Sequence, residues 1–316
     1  MIGPIFFALF PIFLLIALGH AMRRRSFLPD AFWPQAERLC YTVLMPALFL
    51  HGLATADLTG ISVSGLVSAL LIPIILVSLL LILLNRFLAA NGPAFTSVFQ
   101  GAIRFNNFVA ISAAVGLYGQ PAIALAAVAT AAIVPTVNVL SVLVLSRYGS
   151  ARSQTAEQGF ISITLRVLRD IASNPLIVAC TTGILLQVSV AGLPPGLEST
   201  FKALGHASLP LGLLCVGAAL NWEILGTGLR STLSASFFKF VIMPFATALA
   251  CFWLGLDTST AAVAVLFQAV PTASSSYVLA RRLGGDAELM AGIVAFQTVL
   301  CFVTIPIVLL LFGLSL

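Results

Sequence analysis

The most constraining feature of this sequence is a succession of ten apolar segments, most of them about as long as a membrane-spanning helix. A helix needs roughly 20 apolar residues to cross the hydrocarbon core of a bilayer. The segments are 4–21, 39–55, 63–84, 97–117, 122–145, 174–193, 205–221, 232–255, 260–281 and 289–313. With 60% hydrophobic and only 8% charged residues, the chain has too little polar surface for a soluble fold. The sequence therefore predicts an all-α membrane protein with ten transmembrane helices.

The basic residues are distributed unevenly between the loops that join these segments. The loops after odd-numbered segments hold Arg23, Arg24, Arg25, Arg38, Arg86, Arg147, Arg152, Arg166, Arg169, Arg230, Arg281 and Arg282. The loops after even-numbered segments hold only Lys202. Because Lys and Arg accumulate in cytoplasmic loops, we expect a multi-pass protein of the cell inner (plasma) membrane with both termini outside the cytoplasm. This placement explains the net charge of +5 without a nucleic-acid partner.

The two halves of the chain resemble each other in the fourth and ninth segments. Residues 98–116 and 266–284 align with an offset of 168. The matches are Phe99-Gln100 with Phe267-Gln268, Asn106-Asn107 with Ser274-Ser275, and Gly116 with Gly284. Because each half has five segments, the second half must cross the membrane in the opposite sense. We predict inverted repeats at 1–145 and 174–316, joined by a cytoplasmic connector at 146–173 that is either an amphipathic helix or a solvated linker.

The fourth and ninth segments both carry polar residues near the middle of the membrane. Pro271 removes a backbone donor and interrupts the ninth segment, and Arg104 opens a polar stretch in the fourth. Paired interruptions in corresponding segments point to the binding site of a secondary transporter. The candidate substrate-binding residues are Arg104, Asn106, Asn107, Gln268, Pro271, Thr272, Ser274 and Ser275. Half-helix N-termini favour anions, so we expect a carboxylate there. In the alternative interpretation, the Asn and Ser side chains cap one another and Arg104 extends towards the membrane surface.

The acidic residues all lie in loops or at the ends of the predicted segments, whereas ion-coupled carriers usually place a carboxylate near the membrane midplane. Candidates for coupling or gating are therefore His51, Asn138 and Lys239. His51 is read either as a packed side chain or as a proton relay, and Asn138 and Thr304 could offer neutral oxygens to Na⁺. H⁺ and Na⁺ thus stay open as partners. An uncoupled anion exporter needs neither, since a cytoplasm-negative potential drives anions outward.

Metal-binding and cofactor motifs are absent from the sequence. The cysteines are single residues within apolar runs, without a CxxC pair or a His/Cys cluster, and are read as small hydrophobic residues. No metal and no cofactor is predicted. An intramembrane enzyme is disfavoured because neither HExxH nor Gly-x-Gly-Asp occurs and His51 has no serine at a recognisable spacing.

Six short motifs occur along nearly the whole chain. They are Pro11-Ile12-Phe13, Met45-Pro46-Ala47-Leu48, Arg104-Phe105-Asn106-Asn107, Asn174-Pro175-Leu176, Leu209-Pro210-Leu211 and Ala269-Val270-Pro271-Thr272-Ala273. In this order and spacing, the chain resembles the auxin efflux carrier family, whose bacterial members include malonate and malate transporters. The resemblance implies a scaffold domain and a transport domain, crossed and broken fourth and ninth helices, a homodimer and elevator-like alternating access.

The resemblance also implies roles for residues at the crossing. Asn106 or Asn107 matches the asparagine that contacts the substrate carboxylate, and Pro271 matches the crossing in the ninth helix. The chain departs from the plant pattern after the asparagine pair, where Ile111-Ser112-Ala113 replaces Gly-x-Pro. A proline crossing in the fourth helix is therefore not implied, and neither is auxin as the substrate.

The leading hypothesis from the sequence is a secondary transporter, and specifically an exporter, of small organic anions such as mono- or dicarboxylates. The alternative is a sodium-coupled organic anion symporter of the bile-acid symporter type, which shares the plan of two inverted five-helix repeats. A channel or a sensory receptor is the remaining class, which would conduct without saturation or would not transport. Alanine at Asn106 or Asn107 is expected to abolish dicarboxylate transport with little effect on stability.

Overall fold

The computed structural model describes residues 2–56, 62–150, 169, 172–189, 193–221 and 228–313. Within these ranges, all regular structure is helical and no strand occurs. Six helices are long and apolar enough to cross a membrane: Ile5–Arg24, Val63–Leu83, Ala122–Tyr148, Gly196–Ala218, Leu229–Trp253 and Ala287–Leu311. The predicted all-α membrane class is therefore confirmed. The connector predicted at 146–173 falls largely on 151–168, 170 and 171, which lie outside the described residues.

The α-helices in the first half of the described chain are α1 (Ile2–Arg24), α2 (Phe32–Leu39), α3 (Met45–Ala54), α4 (Val63–Leu83), α5 (Asn85–Leu88), α6 (Gly92–Ile103), α7 (Asn107–Tyr118) and α8 (Ala122–Tyr148). Those in the second half are α9 (Pro175–Val188), α10 (Pro195–Ala218), α11 (Leu229–Phe237), α12 (Met243–Trp253), α13 (Thr258–Ala269), α14 (Ser275–Leu283) and α15 (Ala287–Leu311). The shorter helices α9 and α13 are also apolar.

Two π-helical turns join helices end to end. Cys40–Leu44 connects α2 to α3, and Phe238–Ile242 connects α11 to α12. In both cases a proline follows at the second position of the next helix, as Pro46 and Pro244. Because proline has no N–H and its ring crowds the preceding turn, it disturbs the regular hydrogen-bond ladder at this point. The wider turn accommodates the ring and lets each helix continue.

The helices pack in two groups. The first helix group consists of α1, α2, α3, α9 and α10, which pack mainly against one another. The second helix group consists of α4, α6, α7, α8 and α11 to α15. Contacts between the groups are made chiefly by α7 and α8 against α1, α3 and α10. The broken segments α6–α7 and α13–α14 both belong to the second group.

The outer surface of this bundle is apolar. Large hydrophobic side chains are exposed on many helices, including Phe7, Leu14, Leu76, Val178, Phe245, Phe252, Val303 and Leu311. A soluble protein would not leave so many of them in contact with water. This surface is suited to contact with lipid tails, as expected for helices that complete their backbone hydrogen bonds internally.

Small residues allow α1 and α10 to approach each other closely. A Cβ atom at Gly217 would overlap the backbone carbonyl of Ile16, and one at Gly19 would overlap the backbone of Leu214. Helices in a membrane associate through close packing because lipid gives them no hydrophobic drive to do so, and glycine at the contact permits the closest approach. The two glycines therefore hold the first helix group together.

The largest differences between the predicted segments and the structure are at the starts of the second and seventh segments. The second segment was placed at 39–55, but its helix begins at Phe32, so Glu37 and Arg38 are helical. In an apolar chain, charged residues such as Glu37 and Arg38 suggest a loop. Here the helical backbone hydrogen bonds continue through them. The seventh segment was placed at 205–221, but α10 begins at Pro195 and runs without a break through Pro210.

Candidate functional site

Two helices of the second group are broken at equivalent positions. The helix α6 ends at Ile103 and α7 begins at Asn107, with Arg104 and Asn106 in extended conformations. In the other half, α13 ends at Ala269 and α14 begins at Ser275. At the offset of 168 the two breaks superimpose in the sequence. Both segments are thus interrupted at the positions predicted from their polar residues. The fourth is interrupted although it has no proline at the break.

The two breaks are joined by a backbone hydrogen bond. The N–H of Asn106 donates to the carbonyl oxygen of Pro271 at 2.8 Å. The side-chain oxygen of Asn106 accepts from the N–H groups of Phe108 and Val109 at 3.1 and 3.3 Å. Asn106 is therefore the N-cap of α7, a position that favours asparagine because its oxygen satisfies free N–H groups of the first turn. The cap starts the new helix after the break.

Gln297 of α15 completes the pairing of the broken backbone. Its Oε1 atom accepts from the N–H of Thr272 at 3.0 Å, and its Nε2 atom donates to the carbonyl oxygen of Gly101 at 3.0 Å. The hydroxyl of Thr272 is 3.3 Å from the carbonyl oxygen of Gln100, to which it donates. Groups freed by both breaks are thereby satisfied away from water, as they must be in a membrane. Gln297 is not among the site residues predicted from the sequence, where its only signal is a single amide within an apolar helix.

A cavity of about 640 Å³ lies beside the two breaks. Its polar lining consists of Glu37, Arg38, Tyr41, Arg104, Asn106, Asn107, Asn138, Asn174, Ser274, Ser275 and Arg282. Its remaining walls are apolar, with Phe105, Phe108, Val134 and Leu279 among them. Arg38 and Arg282 are exposed to solvent, so the cavity can be reached from their side. A mostly apolar cavity with a few convergent polar groups is typical of a small-molecule site.

Arg104 lies at the inner wall of this cavity and is only 8% exposed. Its Nη1 atom donates to Oδ1 of Asn138 at 2.7 Å, and Nη2 donates to Oγ of Ser275 at 3.1 Å. Its Nε atom is buried without a hydrogen-bond partner in the described part of the chain. Among the described residues no carboxylate lies within ion-pairing distance of it. A buried cation held only by neutral groups is costly unless an anion joins it.

Asn107 offers an amide to the same cavity. It is half-buried, and its Oδ1 atom accepts from the hydroxyl of Thr130 at 3.3 Å. Because the oxygen is held by Thr130, the NH₂ of the same side chain is the group that Asn107 can offer to a ligand. On the opposite wall, Asn174 donates to the hydroxyl of Tyr41 at 3.2 Å. The two walls belong to different helix groups, so the cavity lies between them.

Glu37 is an acidic residue of the cavity that lies outside the predicted second segment, 39–55. Its Oε1 atom accepts from the hydroxyl of Ser274 at 2.8 Å. Glu37 belongs to α2 in the first helix group, and Ser274 immediately precedes α14 in the second. The bond therefore connects the two groups at the edge of the ninth-segment break. A predicted helix that began at Phe32 would have included Glu37 and made it a candidate for the site.

The structure brings together five of the eight predicted substrate-binding residues, Arg104, Asn106, Asn107, Ser274 and Ser275, at the cavity, together with Asn138. The other three do not line it. Pro271 and Thr272 are buried in the contact between the breaks, and Gln268 is fully buried, with its Nε2 atom 3.4 Å from the carbonyl oxygen of Leu70.

The two remaining candidates for coupling also lie away from the cavity. His51 is on α3, with Nε2 at 3.9 Å from the Oε1 atom of Glu198 on α10. Lys239 lies in the π-helical turn before α12, is fully buried, and its Nζ atom has no hydrogen-bond partner among the described residues. Neither His51 nor Lys239 lines the cavity, whereas Arg104 and Asn107 do.

Comparison with known proteins identifies the family of this chain. A family model described as a membrane transport protein matches residues 4–309. The chain is also 22% identical over 304 residues to an uncharacterized transporter of Methanothermobacter thermautotrophicus, in an alignment that covers 94% of each protein. The family match spans nearly the whole sequence, as the six motifs do. The chain belongs to the membrane transport protein family, the family of the auxin efflux carriers.

Proposed function

We propose that this protein is a secondary transporter that exports small organic anions and binds their carboxylate where the broken helices meet. The family consists of membrane transport proteins, so a transport role is the starting point and no enzymatic activity is proposed. The substrate, the direction and the mechanism are inferred from the geometry of the cavity. The ligand is a mono- or dicarboxylate with a small body.

The single observation that carries this proposal is the guanidinium of Arg104, which has no carboxylate within ion-pairing distance among the described residues. It is buried, it is held by the neutral side chains of Asn138 and Ser275, and it faces the cavity. A carboxylate entering the cavity would supply the missing negative charge, and charge-assisted hydrogen bonds are stronger than neutral ones. The NH₂ of Asn107 and the N-terminal end of α14 would add donors for the same anion.

The walls of the cavity suit a ligand that carries an apolar part as well as a carboxylate. Phe105, Phe108, Val134 and Leu279 surround the polar groups. A volume of about 640 Å³ is larger than a two- or three-carbon acid requires. We therefore include both short dicarboxylates and monocarboxylates with an aliphatic or aromatic body in the substrate class.

Transport requires that the cavity be reached from each side of the membrane in turn. We propose ten membrane crossings arranged as two inverted five-helix repeats, 1–145 and 174–316. Arg38 and Arg282 are among the basic residues whose uneven distribution predicts the cytoplasmic side, so the cavity of this structure would face the cytoplasm. An anion bound there and released outside would gain about 2.3 kcal/mol per net charge for each 100 mV.

The hydrogen bond to Arg104 argues against one form of sodium coupling. Asn138 was a candidate oxygen ligand for Na⁺, but its Oδ1 atom accepts from the guanidinium at 2.7 Å. An oxygen that is engaged with one cation and lies beside its positive charge is a poor ligand for a second. We therefore propose transport of the anion without Na⁺ at this position.

Flux measurements in proteoliposomes test this proposal. Purified protein would be reconstituted, and efflux of malonate and of phenylacetate measured under an imposed potential, with and without Na⁺ and at two pH values. We expect saturable efflux that follows the potential and does not require Na⁺. Saturable flux only with Na⁺ would support the symporter alternative, and conductance without saturation would indicate a channel. No binding and no flux of any carboxylate would refute the proposal.

A further inference from the structure

The hydrogen bond between Glu37 and Ser274 places a carboxylate of the protein itself beside the proposed substrate site. Ser274 is the residue before α14, and the next residue, Ser275, accepts from Arg104. Two consecutive serines at the start of one helix therefore hold an internal carboxylate and the buried guanidinium. The N-terminal end of a helix stabilises negative charge, so this position suits a carboxylate of either the protein or a ligand.

The position of Glu37 on α2 directs it into the cavity. The cavity-lining residues of α2 and the following turn are Pro34, Glu37, Arg38 and Tyr41. Their spacing of three, four and seven residues places them on a single helix face. Tyr41, one turn beyond Glu37, is fixed by the hydrogen bond from Asn174. The orientation of Glu37 is thus set by its helix and not by a flexible loop.

The carboxylate of Glu37 is not neutralised by a basic partner. Among the described residues no Lys, Arg or His lies within ion-pairing distance of it, although Arg38 and Arg282 line the same cavity. Its Oε1 atom accepts a hydrogen bond from the hydroxyl of Ser274, in the other helix group. A carboxylate held by a hydroxyl at a helix end is a weaker arrangement than an ion pair, and a ligand can replace it.

We propose that Glu37 is an internal competitor of the substrate carboxylate and a tie between the two helix groups that substrate binding releases. This inference rests on the proposed function, because the competitor is the organic anion. In the empty protein, Glu37 holds Ser274 and joins α2 to the start of α14. A carboxylate that binds Arg104 and the end of α14 repels Glu37 and takes over its position. The two groups then lose this connection and are free to move relative to each other.

Binding affinity provides the first test. Dissociation constants of malonate and phenylacetate would be measured by isothermal titration for the purified wild type and for Glu37→Gln. Gln has the same shape and can still accept from Ser274, but it has no charge. Because a hydrogen bond to a charged carboxylate is stronger than one to a neutral amide, we expect affinity to rise at least about fivefold. Glu288→Gln removes an exposed acid outside the cavity and is expected to leave affinity unchanged.

A double-mutant cycle separates the tie from a general charge effect. Ser274→Ala removes the hydroxyl and leaves the Glu37 charge in place. If Glu37 acts through Ser274, the effect of Glu37→Gln will be smaller in the Ser274→Ala background than in the wild type. Equal effects in both backgrounds would mean that the charge acts through the cavity as a whole, and would overturn the tie.

Cross-linking tests the release directly. The pair Arg38→Cys and Arg282→Cys, exposed residues of α2 and α14 that line the same cavity, would be reacted with a bifunctional methanethiosulfonate in a protein that keeps Glu37 and Ser274. The reaction would be run with and without saturating malonate, while the five native cysteines are buried. We expect malonate to slow this cross-link several-fold. The control pair, His51→Cys and Glu198→Cys, lies within the first helix group and should react at the same rate with and without malonate.

The outcomes distinguish failure of the inference from failure of the proposed function. If carboxylates bind the wild type but Glu37→Gln does not tighten binding, or malonate does not slow the cross-link, the inference is overturned and the anion site stands. If neither the wild type nor Glu37→Gln binds any carboxylate, the proposed function is wrong and the inference with it. Tighter binding together with a slower cross-link supports both.

Discussion

The Oε1 atom of Gln297 accepts a hydrogen bond from the backbone N–H of Thr272 at 3.0 Å. The same side chain donates to the carbonyl of Gly101 in the other half of the chain. A single amide from an otherwise apolar helix thereby supports both broken helices. The position of the proposed anion site depends on this contact, because Arg104 lies shortly after Gly101 in the sequence and Ser275 shortly after Thr272.

Replacing Gln297 with leucine is expected to destabilise the protein strongly. The variant leaves the N–H of Thr272 and the carbonyl of Gly101 without partners, and each buried unsatisfied group costs about 1–3 kcal/mol. The melting temperature in detergent should fall well below that of the wild type. Thr298→Val is the matched control, because Thr298 donates only within its own helix, to the carbonyl of Val294. A Gln297→Leu variant as stable as this control would contradict the bridging role.

Arg104→Gln is expected to weaken carboxylate binding at least about tenfold, since it removes the charge from hydrogen bonds worth about 1.5–3 kcal/mol. The loss should be larger for malonate, a dianion, than for phenylacetate, a monoanion. Titration calorimetry measures both constants. Arg147→Gln removes an exposed arginine that does not line the cavity and should bind as the wild type does. Equal losses for both anions would assign Arg104 a structural role.

The two adjacent asparagines are expected to respond differently to alanine. Asn106→Ala removes the cap of α7 and should lower stability by about 1 kcal/mol. Asn107→Ala removes a donor to the cavity and should reduce carboxylate affinity while leaving the melting temperature nearly unchanged. The sequence analysis expected both variants to be stable, and the cap revises this for Asn106. Thermal melts and titrations of both variants check the distinction, which fails if their stabilities are the same.

Lys239→Met is expected to stabilise the protein. The Nζ atom of Lys239 is buried without a hydrogen-bond partner among the described residues, and burying an unpaired polar group costs about 1–3 kcal/mol. Methionine fills a similar volume without that cost, so the melting temperature should rise while efflux is retained. Lys202→Met, at an exposed position, serves as the control and should change neither. Loss of efflux in Lys239→Met alone would restore Lys239 as a coupling residue.

Gly217→Ala is expected to destabilise the first helix group. The added methyl group would overlap the carbonyl of Ile16, so α1 and α10 would have to separate, and overpacking typically costs about 1–3 kcal/mol. Gly196 lies on the same helix, and a Cβ there meets nothing within 4 Å. Gly196→Ala should therefore melt close to the wild-type temperature. Similar melting temperatures for the two variants would show that the helices adapt to the methyl group.

The breaks were predictable from the sequence because their cause is local. Pro271 cannot donate a hydrogen bond, and Arg104 and Asn106 are polar where the membrane is apolar. The direction in which each polar side chain points, into the cavity or into the protein interior, could not be predicted in the same way. Thr272 and Gln268 share the polar character of Ser274 and Ser275, yet they point into the protein interior because α15 and α4 pack against them.

Two other features depend on contacts that are distant in the sequence. Gln297 meets Thr272 across 25 positions and Gly101 across 196, and nothing near Gln297 indicates either partner. The predicted second segment begins at 39 and excludes Glu37, because Glu37 and Arg38 interrupt the apolar pattern. The helix continues through them because Trp33 and Ala36 bury its other face against α10.

The two interruptions differ in how they are maintained. In the second half, Pro271 has no N–H to donate and its ring crowds the preceding turn, so its own backbone favours a break. In the first half, residues 104–106 have ordinary side chains that could form a continuous helix, and their conformation depends on the Asn106 cap and on the carbonyl of Pro271. The break at Pro271 thus provides the carbonyl oxygen that helps to hold residues 104–106 in their extended conformation. Replacing Pro271 would therefore change the backbone conformation of both breaks. A change that makes residues 104–106 helical would leave the break at Pro271 in place.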